Sequence, residues 1–263
     1  LLALAGTGAN GVCAFPRCTD GSVPMAVATN TSLVVHVMNA DAASVAFMRD
    51  HSGSPSVLGR TLYIEKGTLD VLPYASDSLD ALFLTDVTDD GLAGLATGEI
   101  MRVLAPCVGR AVIGRATGAA GTLTRESFEA WALQWGGPGS HVVENADGLW
   151  AVIARAPLAG AEDWTHPFHG PDNNPVSGDG AFSFPSAVAW LGKPYHLLWR
   201  NIGGRIIANG RLYLAFGPNN DYTYRAYNVY NGSLLWERAL DTNTWAQRHL
   251  NACVDGGRVY LMQ

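Results

Sequence analysis

Short apolar runs that alternate with helix-like stretches constrain this chain more than any other feature. The clearest run is Ser32-Leu33-Val34-Val35-His36-Val37-Met38, β-branched and continuous. A strand that is apolar on both faces belongs in a parallel sheet covered on both sides. Residues 12–15, 61–65, 79–84 and 110–114 read as further strands of that sheet. Residues 23–28, 42–50 and 98–104 read as helices between them, with Asp41 placed to cap the second. Thr124 opens another helix, which holds Ser127, Phe128 and Trp131. Residues 141–144 and 149–154, joined through Asn145-Ala146-Asp147-Gly148, read as a hairpin that adds an antiparallel strand at the sheet edge. The pattern predicts an α/β Rossmann-like fold with a mostly parallel sheet. Ligands in such folds bind beyond the carboxyl ends of the strands, where the strand order reverses. The loops to inspect are therefore 16–22, 39–41 and 66–70.

Composition narrows the function classes. The 263 residues are 48% hydrophobic and 15% charged, an ordinary globular balance with room for two domains. A net charge of −6 without a Lys/Arg run argues against nucleic acid and anionic membrane as partners. No apolar run reaches the roughly 18 residues of a transmembrane helix. The chain opens on Leu1 and ends in what reads as an interrupted strand, residues 259–263, so a piece of a longer protein is expected. Cys13, Cys18, Cys107 and Cys253 lack the paired spacing of a zinc site. Cys13 and Cys18 are close enough in sequence to form a disulfide, but they read better as small core residues with free thiols.

The second half has a different texture. Residues 157–160 are linker-like. The following Glu162-Asp163-Trp164-Thr165-His166-Pro167-Phe168-His169-Gly170-Pro171-Asp172-Asn173-Asn174 is rich in polar ligand types. Its spacing fits no metal pattern, and Pro167 and Pro171 forbid a helix. It reads as a packed crossing segment between domains with Trp164 and Phe168 buried. From residue 197 come short aromatic-rich strands, with Asn-Gly hairpin signals at 209–210 and 231–232. Arg211 and Tyr213 recur as Arg258 and Tyr260, 47 positions on, in the range of propeller-blade periods.

Two motifs in the first half carry a family resemblance. Glu99-Ile100-Met101-Arg102-Val103-Leu104-Ala105-Pro106, followed by Gly109-Arg110, resembles the E-I/V-x-R-V-L-x-P-G-G signature of class I S-adenosylmethionine-dependent methyltransferases. Residues 72–80, Leu-Pro-Tyr-Ala-Ser-Asp-Ser-Leu-Asp, resemble the LPF-x-DxSFD stretch of the same superfamily. The hairpin at 141–154 is similar to that fold's last two strands. The resemblance implies an S-adenosylmethionine site at Cys18, Asp20, Gly21, Asn39, Thr68 and Leu69. Three departures make that site degenerate and count against the cofactor. Arg17 and Thr19 stand where the family's G-C-G-D-G loop has glycines. Asn39 stands where a carboxylate receives the ribose hydroxyls. Thr68 stands where an acid meets the adenine amine. No catalytic base or metal ligand is assigned.

Tyr213, Ala226, Asn228, Gly232, Leu235 and Trp236 similarly follow the repeat of pyrroloquinoline-quinone (PQQ)-like β-propellers, G-x-L/V-Y…A-x-D/N…G-x-x-L-W. PQQ itself cannot be assigned from one blade. The combined order resembles large fused proteins of planctomycete-type bacteria. The implied organisation is a methyltransferase-like domain at 1–158, a linker at 159–196 and the first blade of a truncated propeller at 197–263. Propellers of this kind are exported, which favours a periplasmic or extracellular location and a protein or small-molecule ligand as partner. Three functions follow: a binding or scaffold protein, an active methyltransferase, or a quinoprotein dehydrogenase completed by missing blades. A propeller needs about four to eight blades, and a lone one cannot bury its apolar faces. Leu198, Trp199, Ile206, Leu212, Tyr213, Tyr227, Leu235 and Trp236 are thus expected to be partly exposed or to rest on the first domain through residues 161–175.

Overall fold

The computed structural model describes residues 1–8, 10–52, 56–181, 188, 190, 202–216, 223–240 and 252–261. The chain divides into two compact units, Leu1–Ala156 and Pro157–Gln263.

The first unit carries strands β1 (Asn10–Phe15), β2 (Ser32–Asn39), β3 (Leu62–Lys66), β4 (Ala81–Leu84), β5 (Arg110–Ala116), β6 (His141–Asn145) and β7 (Gly148–Ala154). They form one sheet in the order β3-β2-β1-β4-β5-β7-β6. The first five pair in parallel, and β7 runs antiparallel to both β5 and β6. The terminal hairpin therefore closes the sheet, with β7 beside β5 and β6 at the edge. The order reverses at β1, whose neighbours are β2 and β4, so the crevice for a ligand lies at the carboxyl ends of these strands.

Helices α1 (Leu2–Ala5), α2 (Ser22–Asn30), α3 (Ala42–His51), α4 (Asp89–Leu92), α5 (Thr97–Val103) and α6 (Arg125–Trp135) accompany the sheet. Asp41 caps α3 as its sequence suggests, accepting from the Ser44 N–H and hydroxyl at 2.8 Å each. The continuous apolar strands are explained by two cores. Phe15, Val35, Val37, Phe83, Val112 and Trp150 pack with Val45 and Met48 in one. Ala14, Leu82, Leu84, Ile113 and Ile153 pack with Ile100, Val103 and Phe128 in the other.

The fourth strand is shorter than the sequence pattern suggests, because residues 79 and 80 fall outside it. Leu79 bridges to Leu104, and Asp80 turns its carboxylate to the N–H of Val12 at 2.8 Å. Upstream, the connection from β3 to β4 is tied to α5. Arg102 donates to Glu99 at 2.7 Å, to Tyr74 O at 2.9 Å and to Leu72 O at 3.1 Å, while Glu99 also accepts from the Leu72 N–H at 2.7 Å. The two signature motifs are thus the two sides of one clamp. Each cysteine is a free thiol.

The second unit holds a four-stranded antiparallel sheet of β8 (Ile202–Ala208), β9 (Arg211–Phe216), β10 (Thr223–Asn228) and β11 (Leu234–Ala239), in the order β11-β10-β9-β8. A separate hairpin pairs β12 (Ala252–Asp255) with β13 (Arg258–Leu261). Asn209 and Gly210 take φ 52° and 71° between β8 and β9, the signature of a type I′ turn. The turn around Asn231-Gly232 is wider, and a bulge at Ala226/Tyr227 precedes it.

Both sheets share a core built on small residues: Ala208, Ala215, Ala226 and Ala252 with Ile206, Tyr213, Tyr224 and Val254. Ile206, Tyr213 and Tyr227 are buried rather than partly exposed, while Leu212 and Leu235 are half-buried. Trp236 is 39% exposed as expected. Leu198 and Trp199, and the strand expected around them, lie outside the described residues.

The polar segment at 162–174 is also corrected. Trp164 is 36% and Phe168 59% exposed, not buried. The segment is fixed through its backbone instead. Trp164 exchanges two hydrogen bonds with Ile207 of β8 at 2.7 and 3.1 Å, and the Thr165 carbonyl accepts from Val254 of β12 at 2.9 Å.

Candidate functional site

The residues the sequence nominates converge on the carboxyl edge of β1, β2 and β3. The loop after β1 leaves the sheet at Pro16 and reaches α2 at Gly21, whose φ of 74° starts the helix. Asp20 accepts from the Ser22 N–H and hydroxyl at 2.9 Å each. Its carboxylate is thereby committed to the start of α2.

Cys18 and Asn39 join the loops after β1 and β2. The Cys18 N–H donates to Met38 O at 3.1 Å, and the Asn39 amide nitrogen donates to Cys18 O at 2.6 Å. The Asn39 amide oxygen accepts from the Asp41 N–H at 2.8 Å. Asn39 is 9% exposed, so both ends of its amide are spent inside the protein. Burial raises the Cys18 thiol above its ordinary pKa. From the third strand come Thr68, exposed, and Leu69, half-buried against the core. The structure thus gathers Cys18, Asp20, Gly21 and Asn39 tightly, while Thr68 presents no acid to the site.

Sequence reading misses the residue that decides the shape of this edge. Asp86 follows β4 and faces Arg17 across the crevice. The guanidinium reaches Asp86 Oδ1 through Nε at 3.1 Å and Nη2 at 3.0 Å. This pair links the loop after β1 to the loop after β4, 69 positions apart. Asp86 was open to suspicion only through its place, just past a strand end at the switch point.

A nucleoside cofactor at this edge requires bare backbone in the first loop and a free carboxylate after β2. Arg17 and Thr19 flank Cys18 in the first loop, and an amide, Asn39, ends β2. Arg17 is paired with Asp86 beside the loop after β1, and Asn39 offers an amide oxygen, already accepting from Asp41, where a carboxylate is needed. Asp41, the nearest acid, is bound to Ser44 at the start of α3, and those hydrogen bonds hold its carboxyl below the usual range.

No protein-family model and no curated protein matches the chain. Solved structures do resemble it. A TehB-like S-adenosylmethionine-dependent methyltransferase from Corynebacterium glutamicum shares 17% identity over 59% of this chain and 85% of its own, with a TM-score of 0.44. A geranyl diphosphate C-methyltransferase from Streptomyces coelicolor, solved with Mg2+, geranyl diphosphate and S-adenosylhomocysteine, shares 11% over 59% and 77%, TM-score 0.48. The YcgJ protein of Bacillus subtilis shares 13% over 54% and 67%, TM-score 0.42. The first unit has a methyltransferase-like Rossmann fold. That description rests on its own strand order and closing hairpin.

Among the described residues, no group of three or more His, Cys, Asp or Glu is placed to hold a metal ion, and no helix is long and apolar enough to cross a membrane.

Proposed function

We propose that the first unit is a methyltransferase-like domain used as a binding scaffold, its nucleoside crevice closed by its own side chains. The observation that carries this reading is Asn39. Its buried amide donates to Cys18 O and accepts from the Asp41 N–H at the position where the cofactor needs a carboxylate, a stronger acceptor than an amide. The Arg17–Asp86 pair supports it by crossing the same crevice.

The second unit fits a propeller blade followed by the opening of another. Its four strands form a simple meander, and β12–β13 repeats the β8–β9 hairpin. Trp190 adds a packing detail. Its indole N–H donates to Val229 O at 2.8 Å, and its ring lies so close to Gly232 that a Cβ there would clash with it. Gly232 is therefore fixed by contact as well as by its φ of 73°. Alanine at this position should lower the stability of the second unit by about 1–2 kcal/mol from the left-handed backbone alone, read as a lower denaturation midpoint. No observation among the described residues assigns a quinone site.

Calorimetric titration tests the scaffold reading. With S-adenosylmethionine or S-adenosylhomocysteine we expect no binding tighter than about 1 mM, roughly −4 kcal/mol. A micromolar constant would overturn the proposal in favour of a working methyltransferase in which Arg17 swings away from Asp86.

A further inference from the structure

Arg115 is the residue of the first unit whose surroundings least fit its charge. It is the penultimate residue of β5, on the face that carries Ala111 and Ile113 into the core. It is only 7% exposed. Its Nη1 donates to Val87 O at 3.3 Å, a long bond. Its Nη2 is buried and has no hydrogen-bond partner among the described residues. The acid opposite it, Asp86, belongs to the bridge between residues 86 and 115 but turns its carboxylate to Arg17.

A guanidinium offers five donors and does not lose its proton. Burying it without a counter-charge is strongly unfavourable, so buried arginines are normally paired. Arg115 stands at the carboxyl edge of the sheet, where ligands of such folds bind.

What lies over it is a loop of small residues. Residues 117–123 read Thr-Gly-Ala-Ala-Gly-Thr-Leu, and 116–122 are exposed. Gly121, at φ 99°, comes so near that a Cβ would sit 3.5 Å from both Nη1 and Nη2 and 2.9 Å from Thr88 Cγ2. Any larger residue there would fill the space beside the guanidinium.

We propose that Arg115 anchors an oxyanion-binding site covered by residues 117–123, which takes a small molecule bearing a carboxylate or phosphate group. The planar fork of the guanidinium matches either group in a bidentate pair. This inference does not depend on the scaffold reading, because its probes contain no nucleoside.

The full chain should be titrated with inorganic phosphate and, separately, with acetate, each against chloride at equal ionic strength. Arginine side-chain 15N NMR and thermal unfolding are the readouts. One buried guanidinium resonance should shift saturably, with a dissociation constant of roughly 1–10 mM. The stronger of the two titrations identifies the preferred group. Arg115→Met should lose the resonance and the anion-dependent rise in Tm, and Arg115→Lys should weaken binding about tenfold, since it cannot offer the fork. An unchanged guanidinium spectrum in the native chain under both anions would overturn the proposal. So would an equal rise in Tm in Arg115→Met. Where Arg115→Met fails to fold, the native-chain spectrum decides alone.

Discussion

Phe83→Ala should lower the unfolding free energy of the first unit by about 3–5 kcal/mol, the usual cost of emptying a fully buried phenylalanine site. Phe83 is 1% exposed on β4 and stacks on Phe15, with ring centroids 4.8 Å apart. It thus packs against the last residue of β1, from which the loop carrying Arg17 and Cys18 departs. Domains are stable by only about 5–15 kcal/mol, so the loss is a large share of the total. Urea unfolding followed through Trp150, in the same core, measures it. A change below about 1 kcal/mol would mean that β1 and β4 do not share this packing.

A second large effect lies in the clamp on the β3–β4 connection. Hydrogen bonds from Arg102, with the Leu72 N–H contributing next, hold the Glu99 carboxyl down to about 2 from its ordinary 4.5. A carboxyl whose pKa is depressed by folding stabilises the fold above its unfolded pKa. That contribution fades as the pH drops from 4.5 toward 2. Between those limits the first unit should lose about 2–3 kcal/mol through this one group, allowing for the partial exposure of Arg102. Urea midpoints measured from pH 6 to pH 2 give the slope. Glu99→Gln should be less stable at pH 6 and show a shallower decline on acidification. A mutant as acid-sensitive as the native chain would remove Glu99 as the cause.

These two effects involve residues that sequence reading could find. The continuous apolar run at Ser32–Asn39 made the parallel sheet legible, although its second face is not fully covered: Val34 is 37% exposed. Glu99 and Arg102 are three positions apart on one helix and sit in a recognisable motif. The short helix Asp89–Leu92 was not legible, because a single turn has no periodicity to detect. Neither were the partnerships that define the candidate sites. Arg17 pairs with a residue 69 positions away, and nothing local distinguishes Asp86 from any loop acid. Arg115 resembles the charged residue that ordinarily ends a strand in water. What lies beside it is Gly121, in a loop that follows the strand. The segment around Trp164 was misread for a related reason. Aromatic side chains suggested burial, whereas the segment is held by main-chain bonds that composition does not reveal.

Those main-chain bonds also bear on how the second unit comes apart. Ile207 lies in β8 and Val254 in β12, so residues 164 and 165 stitch two sheets that no strand pairing joins among the described residues. Neither sheet can open at that edge without releasing the same short stretch of chain. Loss of the stretch would free donors or acceptors on both sheets together. The small-residue core then ceases to be two independently melting pieces, and the four-stranded sheet and the hairpin behave as one cooperative element.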